Sequence, residues 1–323
     1  MTSQSRFMHI AEIILTILYL SVFSNAFVPS SKTFPQSSPR PSSSCIASSN
    51  PSSSLNTASP SSPTLAIPGG GIYFYHLYGQ LDYLRQSGYT DNPNLRLVGA
   101  SAGSLCATLF SYGVSSEEAT KCAIMLSDEA DLWNNPLGLA FVWGSIIEEW
   151  LDEQLTRLAS LATPQISFLT SSSSSFDLQL IPKDSDYVNP ENLCLLLSPT
   201  SIDSLTGSAP RKKIKHFKNR DDLINVNMCS VHIPLFLDKK LTREYLNERF
   251  IDGSFQSKPS DYRFKSQHEK VVMLDYVDDE RLKVRTGGFV ELISKEYVWD
   301  MIEYGYTWAR KRDGEGKFNS LKY

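Results

Sequence analysis

The residues best suited to chemistry are Gly99-Ala100-Ser101-Ala102-Gly103, a match to G-x-S-x-G. A serine hydroxyl attacks an ester only when a base takes its proton and donors hold the charge that develops on the substrate. The setting of the pentapeptide meets part of that demand. It lies between a short apolar run, residues 95–98, and a stretch from Ser104 that reads as a helix. A serine at such a strand-to-helix turn is a nucleophile elbow, and the sharp bend tolerates only small neighbours. Ala100, Ala102 and both glycines are small. The N-terminus of the following helix also favours a developing anion.

Two further stretches supply the missing parts. Pro68-Gly69-Gly70-Gly71 follows the apolar run 65–67 and precedes a helix-like segment, 72–84. Its bare backbone can aim several N–H groups at a tetrahedral oxygen. A dinucleotide cradle uses a similar turn, but G-x-G-x-x-G requires glycine at 74, where Phe74 stands. A Walker loop is excluded because no Gly-Lys-Ser/Thr follows. The base is offered by Ile251-Asp252-Gly253-Ser254, an acid between an apolar residue and a glycine. Buried beside Ser101, Asp252 is a stronger base than a carboxylate in water. The alternative is a triad in the order Ser101, Asp252, His268. No His-Gly-Gly run precedes the serine, however, and His268 lies in a polar stretch.

The three blocks in this order resemble the patatin-like phospholipases, over much of residues 65–256 and most closely at 68–109 and 230–254. The resemblance implies a dyad of Ser101 and Asp252 without histidine, and an oxyanion loop at Gly69, Gly70 and Gly71. It implies an α/β fold, a three-layer sandwich around a central, mostly parallel sheet. The activity implied is acyl-ester hydrolysis on glycerolipids of a membrane or lipid droplet, with peripheral membrane contact and no cofactor. Two departures bear on loop geometry and substrate choice. Tyr73 and Phe74 stand where the family often has Arg or Lys and then Gly, and Ser254 stands where Gly or Ala is usual. A non-catalytic lipid-binding relative and an acyltransferase with the same dyad are the alternatives.

Positioning these residues requires a layered frame, and the chain between 65 and 113 reads strand, turn, helix, strand, turn, helix. Ser115 with Glu118 is a capping box that opens another helix. Trp143, Ile146, Ile147, Trp150, Leu151, Leu155 and Leu158 keep helical spacing, which reads as core packing. Residues 193–197 and 271–276 are candidate buried strands, and 171–175 and 203–210 read as loops. His76 and His232 read as packed histidines. The basic run 211–218 reads as a solvated loop. Val298, Met301, Ile302, Gly305 and Trp308 share a helical face, for a docked C-terminal helix or an interfacial one.

Composition narrows the partners. A net charge of −4 gives no reason to expect nucleic acid. The five cysteines are scattered, without C-x-x-C or zinc spacing, so free thiols and no metal are expected. The N-terminal region differs from the rest. Residues 10–23 are apolar behind Arg6, and Ser24-Asn25-Ala26 closes them like a cleavage site, so residues 1–26 read as a signal peptide with a retained anchor as the rival. Residues 27–63 are Ser/Pro-rich and free of acids, too polar to fold and similar to a transit peptide. With Phe27 at the new N-terminus, the pair resembles the bipartite plastid presequences of algae with complex plastids. A plastid location follows from that, with secretion or the endomembrane system as the alternative. Residues 64–323 are the expected hydrolase domain.

Overall fold

Short apolar strands alternating with helices build the frame. The computed structural model describes residues 62–162, 190–200, 210–265, 269–282 and 290–322. The predicted presequence, His268 and the loops 171–175 and 203–209 lie outside them. Residues 62–323 form one compact unit. Its described strands are β1 (Thr64–Ile67), β2 (Arg96–Ala100), β3 (Leu193–Pro199), β4 (Lys212–Ile214), β5 (Arg243–Tyr245), β6 (Glu248–Ile251) and β7 (Val271–Met273). The described helices are α1 (Phe74–Gln86), α2 (Ala102–Ser111), α3 (Ser116–Glu129), α4 (Trp143–Ala162), α5 (Arg220–Ser230) and α6 (Lys295–Gly314).

The fold is α/β, and the described strands form a seven-stranded sheet. Its centre is parallel, in the order β3-β2-β1-β7. Strands β4 and β6 pair antiparallel with β3, and β5 with β6. The central strands are covered on both faces, which is why they read as continuous apolar runs instead of alternating ones. The register Ala66–Val98–Cys194 puts these residues, with Ala100 and Leu196, on one face against Tyr262 and Phe264. The other face meets α2, so closely at Gly99 that a Cβ there would lie 2.3 Å from the Gly103 carbonyl oxygen. Helix α5 packs on β3, and α4 packs on α5 and α3.

Three expectations changed. The basic run is not a loop throughout, because Lys212–Ile214 is strand β4. The Lys213 and Lys215 amines donate to the Arg263 and Phe264 carbonyls, each at 2.5 Å, so the segment after the 3-10 turn Pro259–Tyr262 tethers these cations. The strand foreseen over 271–276 stops at Met273, and the helix foreseen from 72 begins with a 3-10 turn at Gly71–Tyr73. The capping box is present, with Ser115 Oγ accepting from the Glu118 N–H. Helix α6 is docked. It packs along α1, where a Cβ on Gly305 would lie 1.9 Å from the His76 carbonyl oxygen. Among the described residues no helix is long and apolar enough to cross a membrane, and no group of His, Cys, Asp and Glu is placed to hold a metal.

Candidate active site

Strand β2 carries the chain to Ser101 and α2 leaves it at Ala102, so the turn falls on the serine. Ser101 has φ 53° and ψ −129°, a region that L-residues avoid at a cost of about 1–3 kcal/mol. Its neighbours admit the bend because they have no bulk: a Cβ on Gly103 would lie 2.0 Å from the Ile67 carbonyl oxygen. The elbow is held from behind. The Ser101 N–H donates to Ser230 Oγ at 2.9 Å, and that hydroxyl donates to the Leu196 carbonyl at 2.8 Å. One side chain of α5 thereby joins the elbow to β3.

Asp252 arrives from β6. Its N–H donates to the His232 carbonyl at 2.8 Å, and the Gly253 N–H donates to the Ser230 carbonyl at 2.7 Å. Gly253 is required because a Cβ would meet the Leu196 oxygen at 1.9 Å. The result is contact between residues 151 positions apart: Ser101 Oγ donates to Asp252 Oδ2 at 2.5 Å. Asp252 is 9% exposed. Burial pushes its carboxyl above the usual carboxylate range, while hydrogen bonds from Ser101 and Ser254 pull it back. A carboxylate so placed can take a proton from Ser101 with no group between them.

The glycine loop lies against this pair. A Cβ on Gly69 would come within 2.5 Å of Ser254 Oγ and 2.9 Å of Ser101 Cβ. Tyr276 Oη donates to the Gly69 carbonyl at 2.9 Å. Gly70 sits under the Tyr276 ring, 3.0 Å from where its Cβ would be, and Gly71 has φ 54°. Tyr73, one of the two departures in this loop, stacks on Tyr276 with ring centroids 4.7 Å apart. Phe74, the other, packs edge-on against Trp150 at 5.2 Å. The N–H groups of Ala102 and Gly103 open α2 and have no intrahelical acceptor.

Ser101 opens into an apolar cleft shared with Gly71, whose walls include Phe74, Leu105, Trp143, Ile147 and Trp150. The stripe read as core on α4 therefore also lines the cleft. The arrangement offers a strained hydroxyl, a buried carboxylate, free amide donors and an apolar slot. His76 and His232 take no part in it. His76 lies between Asp279 and Gln80, and His232 donates from Nε2 to the Lys240 carbonyl at 3.2 Å. Among the described residues no imidazole bonds Ser101 or Asp252. Ser230 and Tyr276 were missed in the sequence because their partners lie far along the chain and no local spacing marks them.

No family model matches the chain, and no curated protein matches it. Among solved structures, the crystal structure of VipD from Legionella pneumophila is similar at a TM-score of 0.36 and 13% identity, over 66% of this chain. The chain covers 49% of VipD, about half its length.

Proposed function

We propose that the chain is a serine lipid acyl hydrolase of the patatin-like kind, working through Ser101 and Asp252. The observation that carries this reading is the 2.5 Å hydrogen bond from a positive-φ serine to a buried aspartate, at the wall of an apolar cleft. In the first half-reaction Asp252 Oδ2 takes the Ser101 proton as Oγ bonds to the ester carbonyl carbon. The amides of Ala102 and the Gly70-Gly71 loop hold the oxyanion. Collapse breaks the ester bond, and Asp252 returns the proton to the departing alcohol. In the second half Asp252 takes a proton from water, whose oxygen attacks the acyl-serine. The fatty acid leaves, and the proton returns to Ser101.

The cleft's apolar walls suit an acyl chain, and a glycerolipid at a membrane or droplet surface supplies one. Phospholipids, galactolipids and triacylglycerols all fit that description. Assaying the purified chain against a panel of the three tests the reading. Free fatty acid is expected from at least one of them, and Ser101→Ala is expected to release none while melting like the parent. Comparable turnover by the Ser101→Ala protein sinks the assignment.

A further inference from the structure

The two oxygens of the Asp252 carboxylate are treated differently. Among the described residues, Oδ2 receives only the Ser101 hydroxyl, at 2.5 Å. Oδ1 receives two donors, both from Ser254: its N–H at 2.8 Å and its hydroxyl at 2.6 Å. Ser254 is itself held in place, since its Oγ lies close enough to Gly69 that a Cβ there would collide with it. Any N–H in this turn can make the backbone bond. The hydroxyl bond exists only because residue 254 is serine, the position that departs from the glycine or alanine of the resembled pattern.

From this geometry we infer that Ser254 is a positioning residue. Its hydroxyl fixes the rotation of the Asp252 carboxylate, so that Oδ2 faces Ser101 while Oδ1 is saturated. Two donors on one oxygen hold the carboxyl plane against rotation about χ2, a broad torsion that staggering does not fix. They also stabilise the ionised form, which is the form that accepts a proton. The bonds offset part of the burial that raises this carboxyl. Ser254 is not among the residues that line the apolar cleft beside Ser101.

The inference rests on the dyad reading, and the test separates the two. The pH dependence of kcat and KM is measured for the parent, Ser254→Ala and Ser254→Gly, with fluorophosphonate labelling of Ser101 followed alongside. Both substitutions remove atoms and keep the N–H, and a thermal melt checks the fold. Removing one hydrogen bond to a charged group is expected to lower kcat about tenfold or more, with KM near the parent's. The acid limb of the profile should move to higher pH in both variants. A limb that stays in place overturns the inference, whatever the rates do. So does a raised KM at unchanged kcat, which makes Ser254 a substrate contact. If the labelling is followed in a variant too slow for steady-state work, its pH limb must move in the same direction. A parent that neither hydrolyses esters nor labels at Ser101 removes the dyad reading itself, and the inference falls with it.

Discussion

At the scale of single residues, the site is a set of polar groups each assigned one partner. Ser101 Oγ has Asp252, Asp252 Oδ1 has Ser254, and the Ser101 N–H has Ser230. The glycine loop follows the same rule, with the Gly69 carbonyl held by Tyr276 Oη at 2.9 Å. A loop that must present amides to a transition state gains most when its own peptide cannot rotate, since preorganised donors need no rearrangement during reaction. Tyr276→Phe keeps the stack on Tyr73 and deletes only the hydroxyl. It leaves a part-buried carbonyl without its donor, which costs about 1 kcal/mol. Because oxyanion donors act in the transition state, the loss should fall on kcat, by about tenfold, with KM little changed. Parent-like kcat in steady-state assays of Tyr276→Phe would remove the tyrosine from the support of the proposed oxyanion loop.

At the scale of elements, legibility followed how local the signal was. Leu65-Ala66-Ile67 and Leu97-Val98 are apolar on consecutive positions and open onto glycine turns, so both central strands were readable. The capping box at Ser115 and Glu118 was readable because both partners lie within one turn. Strand β4 was not, because Lys212 and Lys213 mask a three-residue strand whose pairing is set by Leu195, Leu196 and Leu197, well upstream in the chain. The same limit applies to the site. Ser101 and the glycine run announce themselves through turn chemistry, and Asp252 through the glycine after it, whose space the Leu196 carbonyl fills. Nothing near Tyr276 signals that its hydroxyl reaches back 207 positions. Sequence carries the residues that bend the chain, and only folding reveals the ones that brace it.

At the scale of the molecule, α6 closes the unit by packing on α1, and a buried polar cluster sits near their contact. His76 is fully buried, with Nε2 and Asp279 Oδ2 3.0 Å apart and the Gln80 amide 3.2 Å from Nδ1. A neutral imidazole satisfies both contacts by donating from Nε2 and accepting at Nδ1. Burial lowers the His76 pKa to about 4, although Asp279 opposes the shift. The unfolded chain therefore binds a proton at His76 below about pH 6.5 that the folded chain refuses until about pH 4. Folding stability is lost as pH falls through that window, by about 3 kcal/mol from this group. Asp279 adds a loss of the same sign only at lower pH, below about 4: burial raises its carboxyl, but the stronger pull of Arg281 and His76 holds it below the usual carboxylate range. Urea midpoints taken between pH 7 and pH 4 should fall for the parent and fall less steeply for His76→Gln. Equal slopes for the two proteins would contradict the assignment of a neutral, buried His76.

The central claim is that Asp252 takes the Ser101 proton directly, and fluorophosphonate labelling read out by peptide mass spectrometry tests it most directly. The parent should carry the adduct on Ser101, and His268→Ala should label at the parent's rate. Asp252→Asn, which keeps the shape and loses the base, should label slower by about a hundredfold or more. An adduct on another residue, or parent-rate labelling of Asp252→Asn, contradicts the account. A His268→Ala protein as slow as Asp252→Asn contradicts it too, in favour of a triad.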